Sequence, residues 1–154
     1  MRHQDMSDGR ELPEHGVGRP AVLAARLAME LDGGHGLAFR LPVDVTYSAA
    51  DPLVVELTFL LPGDAPVRWT VSRELLLDGI SAPAGEGDIH VCPDGADPGL
   101  VRILLRAPGG EALLTTRVAA LHEVLLRTDL LVPFGAEWSE SDLDQELAHM
   151  LAAN

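Results

Sequence analysis

The chain has 154 residues, 47% of them hydrophobic and 23% charged, enough for one domain that buries a core without disulfide or metal. Its 24 acids outnumber its 11 bases, all of them arginine, and the net charge of −13 argues against DNA, RNA and anionic membrane surfaces as partners. Aromatic residues are only 4% and cysteine occurs once, at Cys92, which leaves little for a base-stacking platform and excludes an intrachain disulfide.

Residues 1–19 mix acids, arginines, glycines and prolines without periodicity and read as a flexible leader before a single domain, 20–154. No apolar run there resembles a signal segment, and none in the chain reaches the ~20 residues of a membrane span, so the protein is expected to be soluble and cytoplasmic. Ala21–Leu31 and Leu37–Tyr47, joined by Gly33, Gly34 and Gly36, read as a hairpin. Leu41, Val43, Val45 and Tyr47 alternate with Pro42, Asp44 and Thr46, which predicts one buried face. Leu53–Leu61 and Val67–Val71 follow as strands, with Val67, Trp69 and Val71 on one face and Trp69 expected in the core.

Ser72 stands where a helix cap would, Arg73–Asp78 reads as a short helix, and Gly79 is expected to stop it. Pro83 to Gly87 reads as a loop, Asp88–Cys92 as a strand, and Leu100–Ala107 and Glu111–Thr116 as a hairpin about Pro108-Gly109-Gly110. From about 117 to 152 the pattern turns helical. Val118–Leu131 places apolar residues at 118, 121, 124, 125 and near 130, and Pro133 and Gly135 end that helix. Ser139 or Ser141 would cap a last helix with Leu143, Leu147, Met150 and Leu151 on one stripe and Asp142, Asp144 and Glu146 near its N-terminus. The order is four strands and a short helix, then at least three strands and a longer helical region; it reads as ββββα given twice, the second copy weaker, in an α+β domain.

Chemistry-bearing motifs are hard to find. His90 and Cys92 share a strand face, but zinc needs two further ligands and no other His or Cys has the spacing. No serine sits in a nucleophile elbow. Gly85-Glu86-Gly87 has acids where a phosphate would lie. Between residues 20 and 136 eight arginines face fifteen acids, so the strand arginines Arg40, Arg68, Arg102 and Arg106 read as solvated or ion-paired. The residues thus point to a non-enzymatic domain with no cofactor or metal. The candidate partner-docking residues are Asp142, Asp144 and Glu146 with Leu143 and Leu147, an acidic face beside an apolar stripe.

Several segments taken in order resemble the SsgA-like sporulation and cell-division proteins of filamentous actinobacteria. They are LPVDVTYSAADP (41–52), W-x-V-x-R-x-L-L-x-x-G (Trp69 to Gly79), PAGEGDIHVCP (83–93), APGGEALL (107–114), LLRTDLLVPFGAE (125–137) and SDLDQELAHML (141–151). The resemblance implies two antiparallel sheets with helices, in a fold similar to the Whirly and guide-RNA-binding proteins, assembled as a homotrimer. It also implies a non-enzymatic adaptor at the septum that helps position the tubulin-like protein FtsZ and associates with other family members. The fold's single-strand binding is the alternative function; the charge of −13 counts against it.

Overall fold

The computed structural model describes residues 21–137 and 147–152. The elements run β1 (Val22–Gly34), β2 (Leu37–Ser48), β3 (Val54–Phe59), β4 (Val67–Ser72), α1 (Arg73–Ser81), β5 (Ala84–Glu86), β6 (Ile89–Pro93), β7 (Leu100–Ala107), β8 (Gly110–Arg117) and α2 (Val118–Leu131). Four strands and a helix thus occur twice. The expected bounds of β7 and α2 are those observed.

The strands form one eight-stranded sheet in the order β4-β3-β2-β1-β8-β7-β6-β5, in place of the two sheets expected. Each half is an antiparallel meander of neighbours in sequence. The halves are merged because β1, thirteen residues long, reaches past β2 and pairs with β8 at Glu30–Thr115 and Leu31–Leu114. Thr116 Oγ1 also donates to Ala28 O at 3.0 Å beside that join. The sheet curls so that β3 and β4 face β7 and β8 across the core.

Alternation decides which face is buried. Leu41, Val43, Val45 and Tyr47 are all buried, as the period of two requires, and Val55, Leu57 and Phe59 continue their face on β3. Val101, Ile103 and Leu105 do the same on β7. The β1–β2 turn runs through Gly34 (φ +77°), His35 (φ +53°) and Gly36 (φ +75°), and glycine takes the left-handed conformation at two of these three positions without steric cost.

Ser72 caps α1 through its side chain, which accepts from Leu75 N at 3.2 Å. Gly79 does not stop this helix. It lies inside it, buried, because a Cβ there would stand 2.2 Å from Val91 Cγ1 on β6. The helix runs on to Ser81 and ends before Pro83. The expected loop at Pro83–Gly87 contains β5, whose Ala84, Gly85 and Glu86 pair with Val91, His90 and Ile89. In α2, Leu121, Val124 and Leu125 are buried, but the fourth buried position is Thr128, and Leu130 is 84% exposed.

Candidate docking surfaces

The expected docking helix is seen only in part. Residues 147–152 are helical, and Leu147, Met150 and Leu151 are 55%, 62% and 74% exposed, so this stripe is not buried on its own body. Asp142, Leu143, Asp144 and Glu146, with both candidate caps and the leader 1–19, lie outside the described residues.

What precedes that helix is held by a contact that sequence reasoning did not anticipate. Arg73, the first residue of α1, is 1% exposed. Its Nη1 donates to Val132 O at 2.6 Å, to Thr128 O at 3.3 Å and to Thr128 Oγ1 at 3.5 Å. Its Nη2 donates to Pro133 O at 3.4 Å and to the Glu137 carboxylate. The guanidinium also lies over two rings, Tyr47 at 5.1 Å and Phe134 at 4.4 Å from their centroids. Nε is buried and donates to no oxygen among the described residues.

A planar fork suits this site, because it reaches several carbonyls at once and stacks on aromatics. Residues 132–137 wrap over it. Phe134 N donates to Asp129 Oδ1 at 2.8 Å, and Ala136 N to Pro133 O at 2.9 Å. Burial pushes the Glu137 carboxyl up, but the Arg73 hydrogen bond and charge outweigh it and hold it below the usual carboxylate range. Burial likewise pushes the Tyr47 phenol up, against the opposing charge of Arg73; its hydroxyl donates to Pro52 O at 3.0 Å. The residues that meet here come from three resemblance segments, those holding Tyr47, Arg73 and Phe134. The signal was available as one arginine in an apolar helix start, but its acceptors lie 55 to 64 residues away.

A second surface lies at the other end of β2–β4. Leu31, Leu41, Phe59, Trp69, Leu105 and Leu114 line an apolar cavity of about 150 Å³. Trp69 is therefore not a sealed core residue. It is half-buried at the edge of the core, and its neighbour Val67 is 40% exposed, because β4 has no further strand beyond it. Beside the cavity the β1–β2 hairpin projects past its neighbours. Leu37 and Phe39 there are 59% and 55% exposed, and the Phe39 ring lies where a Cβ on Gly33 would be. β3 pairs with β2 over Val43–Thr46, which among the described residues leaves Leu37–Leu41 without a strand partner on that side.

The outer face of the sheet is polar. Of the four strand arginines expected to be solvated or ion-paired, Arg106 and Arg68 stand against Glu111 (3.1 Å) and Glu56 (4.0 Å), and Arg26, outside that set, stands against Asp44 (2.8 Å). The strand aromatics Phe39, Tyr47, Phe59 and Trp69 occupy the alternate, inner-face register, so among the described residues the outer strand positions offer no stacking surface. Cys92 is half-buried, and no cluster of three metal-ligating side chains occurs among the described residues. No described helix is long and apolar enough to cross a membrane.

Residues 41–137 match the family model described as Streptomyces sporulation and cell division protein, SsgA. That span holds the whole Arg73 cluster and stops at Glu137, before the exposed helix. The sporulation-specific cell division protein SsgB of Streptomyces coelicolor is 44% identical over 112 residues, covering 72% of this chain and 82% of that protein. A solved structure described with SsgB mutations that correlate to longitudinal cell division during sporulation of Streptomyces coelicolor superposes with a TM-score of 0.74 at 34% identity. It covers 79% of this chain and 97% of that one. The SsgA-like sporulation-specific cell division protein of Thermobifida fusca superposes with a TM-score of 0.74 at 32% identity, covering 87% and 98%.

Proposed function

We propose, from the premise that the chain belongs to the SsgA family of sporulation and cell division proteins, that it is a non-enzymatic adaptor in sporulation-specific septation. Its relatives are sporulation-specific cell division proteins. In this reading it acts at the septum, from the cytoplasm, and helps place FtsZ through contacts with other SsgA-like proteins and the division machinery. It assembles as a homotrimer, as the family resemblance implies.

The observation that carries the reading is uncovered apolar surface on a polar, acidic molecule. Leu37 and Phe39 on the hairpin and Leu147, Met150 and Leu151 on the terminal helix are all more than half exposed. Such side chains in groups mark contact sites. The acids Asp142, Asp144 and Glu146 beside Leu143 and Leu147 suit an arginine-bearing partner. The alternative, single-strand binding, needs aromatics on a basic groove, and the strand aromatics follow the inner-face register while three outer arginines are neutralised.

The test is a fluorescent fusion in sporulating hyphae of a strain lacking the chain. The wild type restores regular FtsZ ladders and co-purifies with another family member. Replacing Asp142, Asp144 and Glu146 by Asn or Gln leaves fold and oligomer intact and weakens recruitment. Normal ladders in the deletion strain, or tight salt-sensitive binding of single-stranded DNA, would overturn the reading.

A further inference from the structure

We propose that Arg73 and the segment Val132–Glu137 form a latch, with the segment as a strap that opens and closes as a unit on a body that stays folded. The inference rests on how the strap is attached. Its first carbonyls, at Val132 and Pro133, accept from Arg73. Its ring, Phe134, stacks on Arg73. Its carboxylate, on Glu137, closes on Arg73. Beyond Arg73 the strap has Phe134 N to Asp129, a turn inside the strap, Ala136 N to Pro133 O, and the half-buried Val132 and Phe134 packed against the edge of the core. Val132 N bonds back to Thr128 O, which continues the last turn of α2.

One side chain, contributed by the other half of the molecule, therefore gathers most of the polar contacts that lay these six residues down. The body does not depend on the strap in the same way. The strands are held by their own ladders, and the core residues Leu76, Leu121 and Leu125 are buried between helices and sheet. Local opening with an intact core is the expected behaviour of a half-exposed segment whose polar contacts converge on one side chain.

The latch also gives a consequence for docking, which rests on the function proposed above. Asp142, Leu143, Asp144, Glu146 and Leu147 follow Glu137 in the sequence, and a closed strap fixes Glu137 on the body. Opening also uncovers Arg73 beside Tyr47, a cation against an aromatic ring that suits a carboxylate.

Hydrogen exchange on the full chain tests the latch without any partner, so its outcome is independent of the septation reading. In the wild type, amides of 134, 136 and 137 exchange faster than those of β2 and β7. Glu137→Gln speeds exchange in 132–137 by at least about tenfold, the loss of one charge-assisted hydrogen bond, and leaves β2 and β7 unchanged. Glu137→Asp retains part of the protection. Arg73→Lys keeps the charge but not the fork and loosens the strap further. Two results would overturn the proposal. Unchanged strap exchange in Glu137→Gln means Arg73 does not hold the strap through this pair. Loss of protection in β2 and β7 together with the strap means that Arg73 is a keystone of the whole fold.

Discussion

At the end of the sheet near Tyr47 and the helices, a cation is buried and four residues around it accept its hydrogen bonds. At the other end, near Phe59 and Val67, the side chains are apolar, a cavity of about 150 Å³ remains among them, and Phe39 and Leu37 stand half in solvent. The difference is instructive because it inverts the usual rule of polar outside and apolar inside. A charge tolerates burial when its donors are nearly all used. Apolar surface left open in a chain with ample core elsewhere is available to another molecule.

Breaking the closed end should cost most. Arg73→Ala removes the fork, leaves the Val132 carbonyl without its donor and strips the half-buried Glu137 carboxylate of its cation, so a loss of about 3–5 kcal/mol is expected in urea unfolding. A loss under about 1 kcal/mol would mean that water replaces the guanidinium there. Next in size is Gly79→Ala, in the helix that delivers Arg73. The added methyl meets Val91, with its backbone oxygen 3.0 Å away, and the shift this forces should cost about 1–3 kcal/mol. A neutral result would show that α1 can back away from β6.

The open end should answer differently. Ala112→Val adds carbon toward the cavity and should be neutral or stabilising by up to about 1 kcal/mol, read as a Tm that holds or rises. A clear fall would show the cavity wall to be rigid and already filled. Smallest is the response to acid. Glu137 titrates below its unfolded value, so its contribution is fully present above the ordinary carboxylate pKa of about 4.3 and is lost as pH falls through the lower folded value. The stability difference between wild type and Glu137→Gln, measured against pH, should narrow through that window. A difference that stays constant would detach the carboxylate from the latch.

Much of the fold was legible because it is local. The alternation at 41–47 named a buried face, and β7 and α2 were bounded by their own turn and breaker residues. β5 was missed because Ala84-Gly85-Glu86 has loop composition; it is a strand only because β6 offers it a ladder. Gly79 was misread since a stop and a close approach call for the same residue, and the choice is made by Val91, on another element. The single sheet turns on two residue pairs, too few to leave a pattern. Arg73 was the largest omission. Arginine is ordinarily a surface residue, and three of its five acceptors are main-chain carbonyls, which carry no sequence signal. At the docking segment the apolar stripe was readable, and three of its members, Leu147, Met150 and Leu151, are exposed.

The join between the halves has a consequence for how the chain folds. Every other ladder in the sheet links strands that follow one another in sequence, so each meander closes short loops and pays little entropy to form. The pairs Glu30–Thr115 and Leu31–Leu114 are different: they bring together residues separated by 85 and 83 positions (115 − 30 and 114 − 31) for two rungs of ladder. Little enthalpy repays that long closure until the shared core beneath it has formed. The two meanders therefore take shape first, and their fusion into one sheet is a late event, driven by burial from below more than by pairing along the edge.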